Sequence, residues 1–275
     1  MSIAHLPHRG VIEVAGPDRA AFLQGLISND VEALRPDAAV WAALLTPQGK
    51  WLADFFVLDA GGEAWLLDVE RAQAEMLVQR LSRFRLRAKV ALRDASAEWH
   101  VHAAWDANPP EGVLAARDPR LPEAGWRVLA PQKLADAGVE DYDRYRLALG
   151  LPDGARDLDA EKTVLLEAGF DELHGVSWTK GCYMGQELTA RTKYRGLVKK
   201  RLCPVRVEGP LPPHGTPVLH EGRELGEMRS GRDGRGLALL RLEALRAGPL
   251  ACGDAVLTPE PPGWMNLPAE TADAG

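Results

Sequence analysis

The chain has 275 residues, of which 46% are hydrophobic and 26% charged, a composition typical of a folded soluble protein with room for about two domains. Its 33 basic and 39 acidic residues give a formal net charge of -6, which disfavours a general duplex-binding protein because the overall field repels polyanions. Cys182, Cys203 and Cys252 form no C-x-x-C pair, which argues against a local disulfide framework or zinc site and favours a reducing compartment. With no apolar leader and no run of roughly 20 apolar residues, the sequence predicts a cytoplasmic protein without a membrane partner.

The first half of the sequence predicts helices that alternate with short strands. A helix starts at residues 16–18, where proline and an acidic residue suit the first turn, and should end near residues 29–30. An amphipathic helix is expected at 70–81, followed by a strand at 84–92 with one apolar and one basic face. Between the two helices, apolar runs separated by Gly/Pro turns predict an antiparallel meander over residues 40–46, 51–59 and 64–69.

The middle of the chain predicts two strands, a long loop and a helix. The strands are expected at 99–105 and 126–129, and the Pro/Gly-rich stretch 108–125 between them is expected to be a loop. The helix at 141–149 should stop at Gly150, and an irregular segment should follow as far as Thr179. Irregularity over that length favours a functional segment.

From Leu197 onward, short β-like runs alternate with Gly/Pro turns, which is typical of a small barrel or sandwich, and residues 231–236 fit a hairpin turn. We therefore predict a domain boundary near Gly196. The predicted units are a region at 1–195, a β-domain at 196–268 and a mobile tail at 269–275.

The stretch around Cys182 carries the densest chemical information. The spacing predicts that a helix starts near Cys182, beside Lys180, and that Gly181 and Gly185 allow close backbone approach. A helix start and an ammonium group both favour thiolate, so we expect a lowered pKa for Cys182 and consider it a nucleophile, a redox thiol or a metal ligand. The alternative is a small buried residue, which is the commonest fate of a free cysteine and the one expected for Cys203 and Cys252.

Two basic stretches, residues 80–93 and 191–201, stand out against the acidic total. Most of their side chains are expected to form a solvated face. Together they could also form a local anion site for carboxylates, phosphates or an RNA segment, because arginine pairs bidentately with such groups.

Residues 180–187 resemble the K-G-C-Y-x-G-Q-E signature of the YgfZ family of folate-binding iron-sulfur cluster assembly and repair proteins. The matching positions are Lys180, Gly181, Cys182, Tyr183, Gly185, Gln186 and Glu187. Four further blocks agree with that family, and the match covers most of residues 10–201. The four blocks lie at residues 22–31, 45–50, 145–152 and 175–178.

This resemblance implies a fold related to the T-protein, the aminomethyltransferase of the glycine cleavage system. That fold has α+β subdomains, intertwined in sequence around a central folate channel, and a C-terminal β-barrel. The implied function is a folate-binding accessory role in iron-sulfur cluster assembly or repair that supports radical tRNA-thiomethylating enzymes. The implied cofactors are tetrahydrofolate or a derivative and a transient shared cluster, and the partners are iron-sulfur assembly proteins and client enzymes.

The resemblance places the functional thiol, or shared cluster ligand, at Cys182. A single thiolate cannot enclose a cluster, so a bound cluster would need a partner protein, glutathione or a second copy. Two alternatives stay open: a tetrahydrofolate-dependent one-carbon (aminomethyl) transferase, and a tRNA-binding modification factor. Folate contacts are expected at Asn29, Asp30, Arg87, Glu123 and Arg191.

Overall fold

Two antiparallel sheets, interleaved along the chain, form the first part of the molecule. The computed structural model describes residues 2–267. One sheet has five strands, which are in spatial order β3 (Val40–Leu45), β4 (Trp51–Asp59), β5 (Ala64–Glu70), β2 (Arg9–Ala15) and β6 (Ala91–Asp94). The other has four, which are β1 (Ser2–His5), β7 (His100–Trp105), β9 (Trp126–Ala130) and β8 (Leu114–Arg117). Because β1 pairs with β7 while β2–β6 build the other sheet, the predicted intertwined α+β arrangement is confirmed.

A closed six-stranded barrel follows, as expected from the short β-like runs. Its strands are in order β10 (Lys200–Glu208), β13 (Arg235–Arg241), β12 (Arg223–Arg232), β11 (Pro217–His220), β14 (Leu250–Cys252) and β15 (Ala255–Pro259). The predicted hairpin turn is present between β12 and β13, where Asp233 and Gly234 both have positive φ (48° and 79°), as a two-residue type I′ turn requires. The boundary near Gly196 stays a prediction, and the predicted tail at 269–275 lies outside the described residues.

The meander is buried on both faces, which explains its almost continuous apolar sequence. In β3, Val40, Ala42 and Leu44 pack into one core, which also contains residues of helices α1 (Arg19–Gln24) and α2 (Ala74–Ser82). The alternate residues of the same strand, Trp41, Ala43 and Leu45, pack into a second core shared with the four-stranded sheet. The meander therefore forms the middle layer of this part of the molecule.

Buried arginines join the separate parts of the fold. Arg146, in helix α3 (Val139–Leu149), is fully buried and donates to Asp143 and Asp157 at 2.8 Å each, and to Ser230 in the barrel at 2.8 Å. It thus connects α3, the irregular segment after Gly150 and the barrel. In the same way, Asp68 of the five-stranded sheet accepts from Arg9 of that sheet and from Arg127 of the other, at 2.7 and 2.8 Å.

Three predictions about elements are wrong. Residues 84–90 form turns, with Leu86 at φ 44° and 89% exposed, because the chain must reverse after α2 to bring β6 alongside β2. The loop predicted at 108–125 contains strand β8 and a 3-10 helix (Pro122–Ala124). The first helix stops at Gln24, and Asp30 caps a separate 3-10 helix (Val31–Ala33) instead of ending it.

Candidate functional site

Residues 180–185 form a loop, here called the signature loop. This loop and the residues just before it are held in place by backbone hydrogen bonds to a distant part of the chain. Ser177 N–H donates to the carbonyl of Ser28 at 3.1 Å, and Met184 N–H donates to that of Gly25, also at 3.1 Å. The Ser28 hydroxyl, fully buried, donates to the carbonyl of Gly175 at 2.6 Å and accepts from the N–H of Ala43 at 2.8 Å. Sequence blocks 22–31 and 175–178, about 150 residues apart, thus form one unit with strand β3.

A pair of glycines brings a third block to the same place. Gly185 has φ +79°, and a Cβ atom there would stand 2.4 Å from the Thr46 carbonyl oxygen and 3.1 Å from the Cα of Gly49. A Cβ at Gly49 would in turn stand 2.6 Å from the Gly185 carbonyl oxygen. The 45–50 turn and the signature therefore pack backbone to backbone, which only glycine permits. Gly181 is different, since a Cβ there would have nothing within 4 Å, so the close approach predicted at this glycine is wrong.

Lys180 points back into the fold and fastens the loop. Its ammonium donates to the carbonyls of Ile27 at 2.9 Å and Asn29 at 2.6 Å, and lies 5.3 Å from the ring centroid of Tyr183. Burial lowers the pKa of Lys180 to about 8. Because this ammonium is hydrogen-bonded to two backbone carbonyls, Lys180 positions the loop.

The residues after Cys182 anchor the loop in both cores. Tyr183 is buried in the core shared by the two sheets, and burial raises the pKa of its hydroxyl to about 12. Met184 packs against the other core, next to α1 and α2. Cys182 itself lies on the surface. The thiol of Cys182 is therefore accessible, while the two residues that follow it are anchored in the cores.

Cys182 precedes the nearest helix and does not start it. Helix α4 spans Gln186–Tyr194, with Gly185 as its N-cap, so the helix start predicted at Cys182 is wrong by four residues. The reason is steric, because the chain must pass Gly49 in a left-handed conformation at Gly185 before helical geometry can begin. Gly185, and not Cys182, therefore stands at the N-terminus of α4.

The other two cysteines are packing residues, as expected. Cys203 and Cys252 are both fully buried in the barrel core. Burial raises the pKa of the Cys203 thiol to about 12, and also raises that of Cys252. Within residues 2–267, no group of three or more His, Cys, Asp or Glu side chains is placed to hold a metal ion. A metal or cluster at Cys182 would therefore need ligands from outside this part of the chain.

A cationic groove lies along helix α4, next to the signature. It has a volume of about 710 Å³ and is lined by Gln186, Glu187, Ala190, Arg191, Tyr194 and Arg195. Tyr194 is 76% exposed. Among the described residues, neither Arg191 nor Arg195 has a side-chain ion pair. Both guanidinium groups are free to bind an external anion.

Of the five predicted folate residues, three lie near the signature. Arg191 lines the cationic groove. Asn29 spends both amide hydrogens on the carbonyls of Trp41 and His174, at 2.8 and 2.7 Å. Asp30 accepts from Gln24 and from the N–H of Glu32, at 2.8 and 2.9 Å. The side chains of Asn29 and Asp30 thus shape the loop that receives Lys180.

The other two, Arg87 and Glu123, lie elsewhere. Arg87 is exposed in the turn that leads into β6. Strand β6 lies at the opposite edge of the sheet from β3, the strand beside the signature, and four strand spacings, roughly 19 Å, separate the two. Glu123 is exposed beside the four-stranded sheet, where it lines a separate cavity with Arg117 and Tyr145. The five residues do not form one site.

Sequence reasoning did not assign the two residues that hold the site together, Ser28 and Gly49. Both lie inside blocks that resemble the family, but their roles depend on contacts with Gly175 and Gly185, which are more than 130 residues away. The sequence did contain one indication of these contacts: the blocks that contain these residues all resemble the same family, which suggests that they contact one another in the fold.

Comparison with known proteins gives the same architecture. The family model described as GCVT N-terminal domain matches residues 2–105, and that described as CAF17, C-terminal beta-barrel domain, matches residues 199–267. Among solved structures, the glycine cleavage system aminomethyltransferase T from Bartonella henselae matches with a TM-score of 0.74 at 13% identity, over 96% of this chain and 86% of that one. The T-protein-like fold with its C-terminal barrel is confirmed.

Curated relatives decide the family. The Mycosarcoma maydis protein named iron-sulfur cluster assembly factor IBA57 homolog, mitochondrial, is 36% identical over 89% of this chain and 74% of its own length. The chain belongs to the IBA57 family. The mouse and human members, named iron-sulfur cluster assembly factor IBA57, mitochondrial, are 36% and 34% identical, each over 89% of this chain and 78% of their own length.

The family also corrects the predicted location. The cytoplasmic prediction is wrong, since these IBA57 relatives are named as mitochondrial proteins. A low cysteine count indicates a reducing compartment but does not distinguish one such compartment from another. Within the described residues, no helix is long and apolar enough to cross a membrane.

Proposed function

We propose that this chain acts in iron-sulfur cluster assembly and that Cys182 supplies one thiolate ligand to a cluster shared with a partner. The observation that carries the proposal is the placement of Cys182: it is the exposed cysteine of the described chain, on a loop fixed by two distant sequence blocks, 22–31 and 45–50. The names of the IBA57 relatives support the same role. The finer assignment to the YgfZ family rests on the signature at 180–187.

The chemistry at Cys182 is ligand exchange. The thiol gives its proton to water, the thiolate forms one iron–sulfur bond, and the ligand that it replaces leaves with no change in oxidation state. Biological clusters usually have four protein ligands, so the others come from a partner protein, glutathione or a second copy of the chain. A single ligand binds weakly enough for the cluster to be passed on, which makes it cargo and not a resident cofactor.

The surface next to Cys182 indicates the chemistry of the partner. The cationic groove along α4 presents Arg191 and Arg195 without internal partners. A carboxylate-rich surface on an assembly protein or a client enzyme, such as a radical tRNA-thiomethylating enzyme, would pair with both guanidinium groups. Docking there would bring the partner's own ligands close to Cys182.

The role is tested by complementation. In a strain that lacks this protein, wild type and Cys203→Ala are expected to restore iron-sulfur enzyme activities, whereas Cys182→Ala is not. Cys203→Ala is the matched control because it removes a thiol from the barrel core. Restoration by a folded Cys182→Ala variant would exclude the thiol as the functional group.

Folate binding stays a prediction. The five predicted contacts do not converge, and the buried Arg9 and Arg127 both donate to the carboxylate of Asp68. Quenching of tryptophan fluorescence by tetrahydrofolate under anaerobic conditions tests the prediction directly. The aminomethyl-transfer alternative depends on the same ligand, and a coupled methylene-transfer assay tests it.

A tRNA-binding role is a second candidate, because one observation favours it. Tyr194 is 76% exposed between Arg191 and Arg195, and an exposed aromatic ring flanked by arginines suits base stacking and phosphate pairing. If the role holds, charge reversal at Arg191 and Arg195, the two arginines that line the groove, should abolish salt-sensitive retention of tRNA. Retention that is unchanged by these substitutions would exclude the groove as an RNA site.

A further inference from the structure

Apolar side chains are exposed where the chain turns between α2 and β6. Leu86 is 89% exposed, Phe84 is 39% exposed, and Met76, in α2 itself, is 38% exposed. Residues 82–87 are all exposed, and we call residues 82–89 the basic turn. A side chain as exposed as Leu86 stands clear of its neighbours, so the basic turn projects from the surface and does not line a groove.

Basic side chains flank the exposed apolar ones. The basic turn contains no acidic residue. Its four basic residues are exposed and have no ion pair with any of the described residues: Arg83, Arg85, Arg87 and Lys89. The next arginine, Arg93, differs because it pairs with Glu13 at 2.7 Å. The basic turn is therefore a local positive surface on a chain whose formal net charge is -6.

The fold holds the basic turn in a fixed shape. At its base, the N–H of Lys89 donates to the carboxylate of Asp18 at 2.7 Å. At its tip, the N–H of Ala88 donates to the carbonyl of Arg85 at 2.8 Å, which closes a four-residue turn with Leu86 in second position. Leu86 has φ 44°, which leucine rarely adopts. The turn thus presents its apolar tip without further ordering, which lowers the entropic cost of docking.

The combination of charge and apolar tip distinguishes between possible partners. RNA would pair with the arginines but would offer Leu86 no contact, because bases stack on aromatic rings or guanidinium planes. A protein interface is less suitable, since leucine is under-represented among the residues that carry protein binding energy. A bilayer with anionic lipids satisfies both features: its headgroups pair with basic side chains, and its acyl region accepts Leu86 and Phe84.

We propose that the basic turn is a docking surface for an anionic lipid bilayer. Leu86 and Phe84 enter the boundary between headgroups and acyl chains, and the four basic side chains pair with lipid phosphates. The contact is interfacial and reversible. The prediction of no membrane partner depended on the absence of a spanning run, which a contact of this kind does not need.

Docking through the basic turn leaves Cys182 accessible. The turn leads into β6, which lies at the opposite edge of the five-stranded sheet from β3, and the signature loop lies beside β3. A protein bound to a bilayer in this way can still present Cys182 to a partner. The lipid contact does not depend on a cluster at Cys182, so either proposal can fail without the other.

Binding to vesicles tests the proposal on the purified, unaltered chain. Vesicles of phosphatidylcholine with about 30% phosphatidylglycerol have the negative surface potential that attracts basic segments, and they should sediment the protein. Pure phosphatidylcholine vesicles should not, and about 0.5 M salt should release the bound protein because exposed charges are screened. No binding to the anionic vesicles, or equal binding to both kinds, would overturn the proposal. Displacement from the vesicles by a short RNA duplex would also overturn it, in favour of an RNA surface.

A pair of double variants tests the location. Arg85→Glu with Arg87→Glu should weaken vesicle binding at least about 25-fold, because each basic side chain near an anionic surface contributes about fivefold. Arg191→Glu with Arg195→Glu, in the cationic groove, makes the same change in net charge and should alter binding by less than about threefold. Equal losses in the two double variants would overturn the proposal, because total charge and not the basic turn would then control binding.

A substitution at the tip tests the apolar contact. Leu86→Asn removes the apolar side chain and suits the positive φ, because asparagine tolerates the left-handed region. The variant should stay folded and bind anionic vesicles about tenfold more weakly. In the wild type, iodoacetamide should label Cys182 as fast on vesicles as in solution. Undiminished binding by Leu86→Asn, or protection of Cys182 by the vesicles, would overturn the proposal.

Discussion

The loop at 180–185 and the barrel each contain cysteine, but they place it in opposite surroundings. In the barrel, Cys203 and Cys252 lie fully buried among side chains of a closed sheet. In the loop, Cys182 is exposed, whereas Tyr183 is buried and the Met184 N–H donates to the carbonyl of Gly25. The difference shows that the loop is held by contacts of its other residues, which leaves the Cys182 side chain free to react. In the barrel, by contrast, the cysteine side chains are themselves part of the packed core.

This contrast predicts a large difference in thiol reactivity. With iodoacetamide near neutral pH, Cys182 should be alkylated at least roughly 100-fold faster than Cys203, because burial hides the barrel thiol and keeps it protonated. The pKa of Cys203, raised to about 12, strengthens that protonation. Mass spectrometry of peptides over a time course measures both rates. Comparable labelling of Cys203 in the folded protein would contradict the contrast.

The backbone contact between Gly185 and Gly49 gives the next largest effect. Gly185→Ala should lower the free energy of unfolding by about 2–4 kcal/mol, because the added Cβ meets the Thr46 carbonyl at a positive φ. Gly181→Ala is the matched control, with an expected change within about 0.5 kcal/mol because its Cβ enters open space. Urea unfolding measures both variants. Equal effects would show that the loop is not fixed by this contact.

Loss of the Ser28 hydroxyl should have an intermediate effect. Ser28→Ala leaves the Gly175 carbonyl and the Ala43 N–H each without this partner in a buried place, at a cost of about 1–3 kcal/mol. Ser82→Ala, at the exposed end of α2, should stay within about 0.5 kcal/mol. Thermal or urea unfolding of the pair distinguishes these outcomes, and a Ser28→Ala variant as stable as wild type would show that the hydroxyl does not stabilise the contact between the two blocks.

The smallest expected effect concerns pH and Lys180. Its pKa is lowered from 10.5 to about 8, so between these values the unfolded state binds more protons than the folded state. The contribution of Lys180 to stability should therefore rise with pH across that window. The difference in unfolding free energy between wild type and Lys180→Gln, measured by urea unfolding at both ends of the window, should grow. A constant or shrinking difference would contradict the burial of the ammonium.

Local signals in the sequence predicted several elements correctly. The stop of α3 at Gly150 and the Asp233-Gly234 hairpin each depend on residues adjacent in sequence, and the structure has both, with positive φ at all three positions. The meander over 40–69 was also predictable, because its apolar runs and turns are contiguous.

What could not be predicted depends on long-range contacts. The alternation at 84–92 looks like a strand, but the geometry needed to return the chain to β2 overrides it. The start of α4 at Gln186 is fixed by Gly49, which lies 136 residues before Gly185 and therefore leaves no mark near Cys182. Likewise, Arg87 and Glu123 share a chemical type with Arg191 and Asp30 but not a location, and residue type alone does not reveal that.

The most direct test of a shared cluster ligand at Cys182 is the transfer of a glutathione-ligated [2Fe–2S] cluster to the purified protein under anaerobic conditions. Native mass spectrometry would compare wild type, Cys182→Ala and Cys203→Ala. Retention of the cluster by wild type and Cys203→Ala, but not by Cys182→Ala, is the predicted result. Equal retention by Cys182→Ala, or no retention by wild type, would contradict the assignment of Cys182 as the ligand.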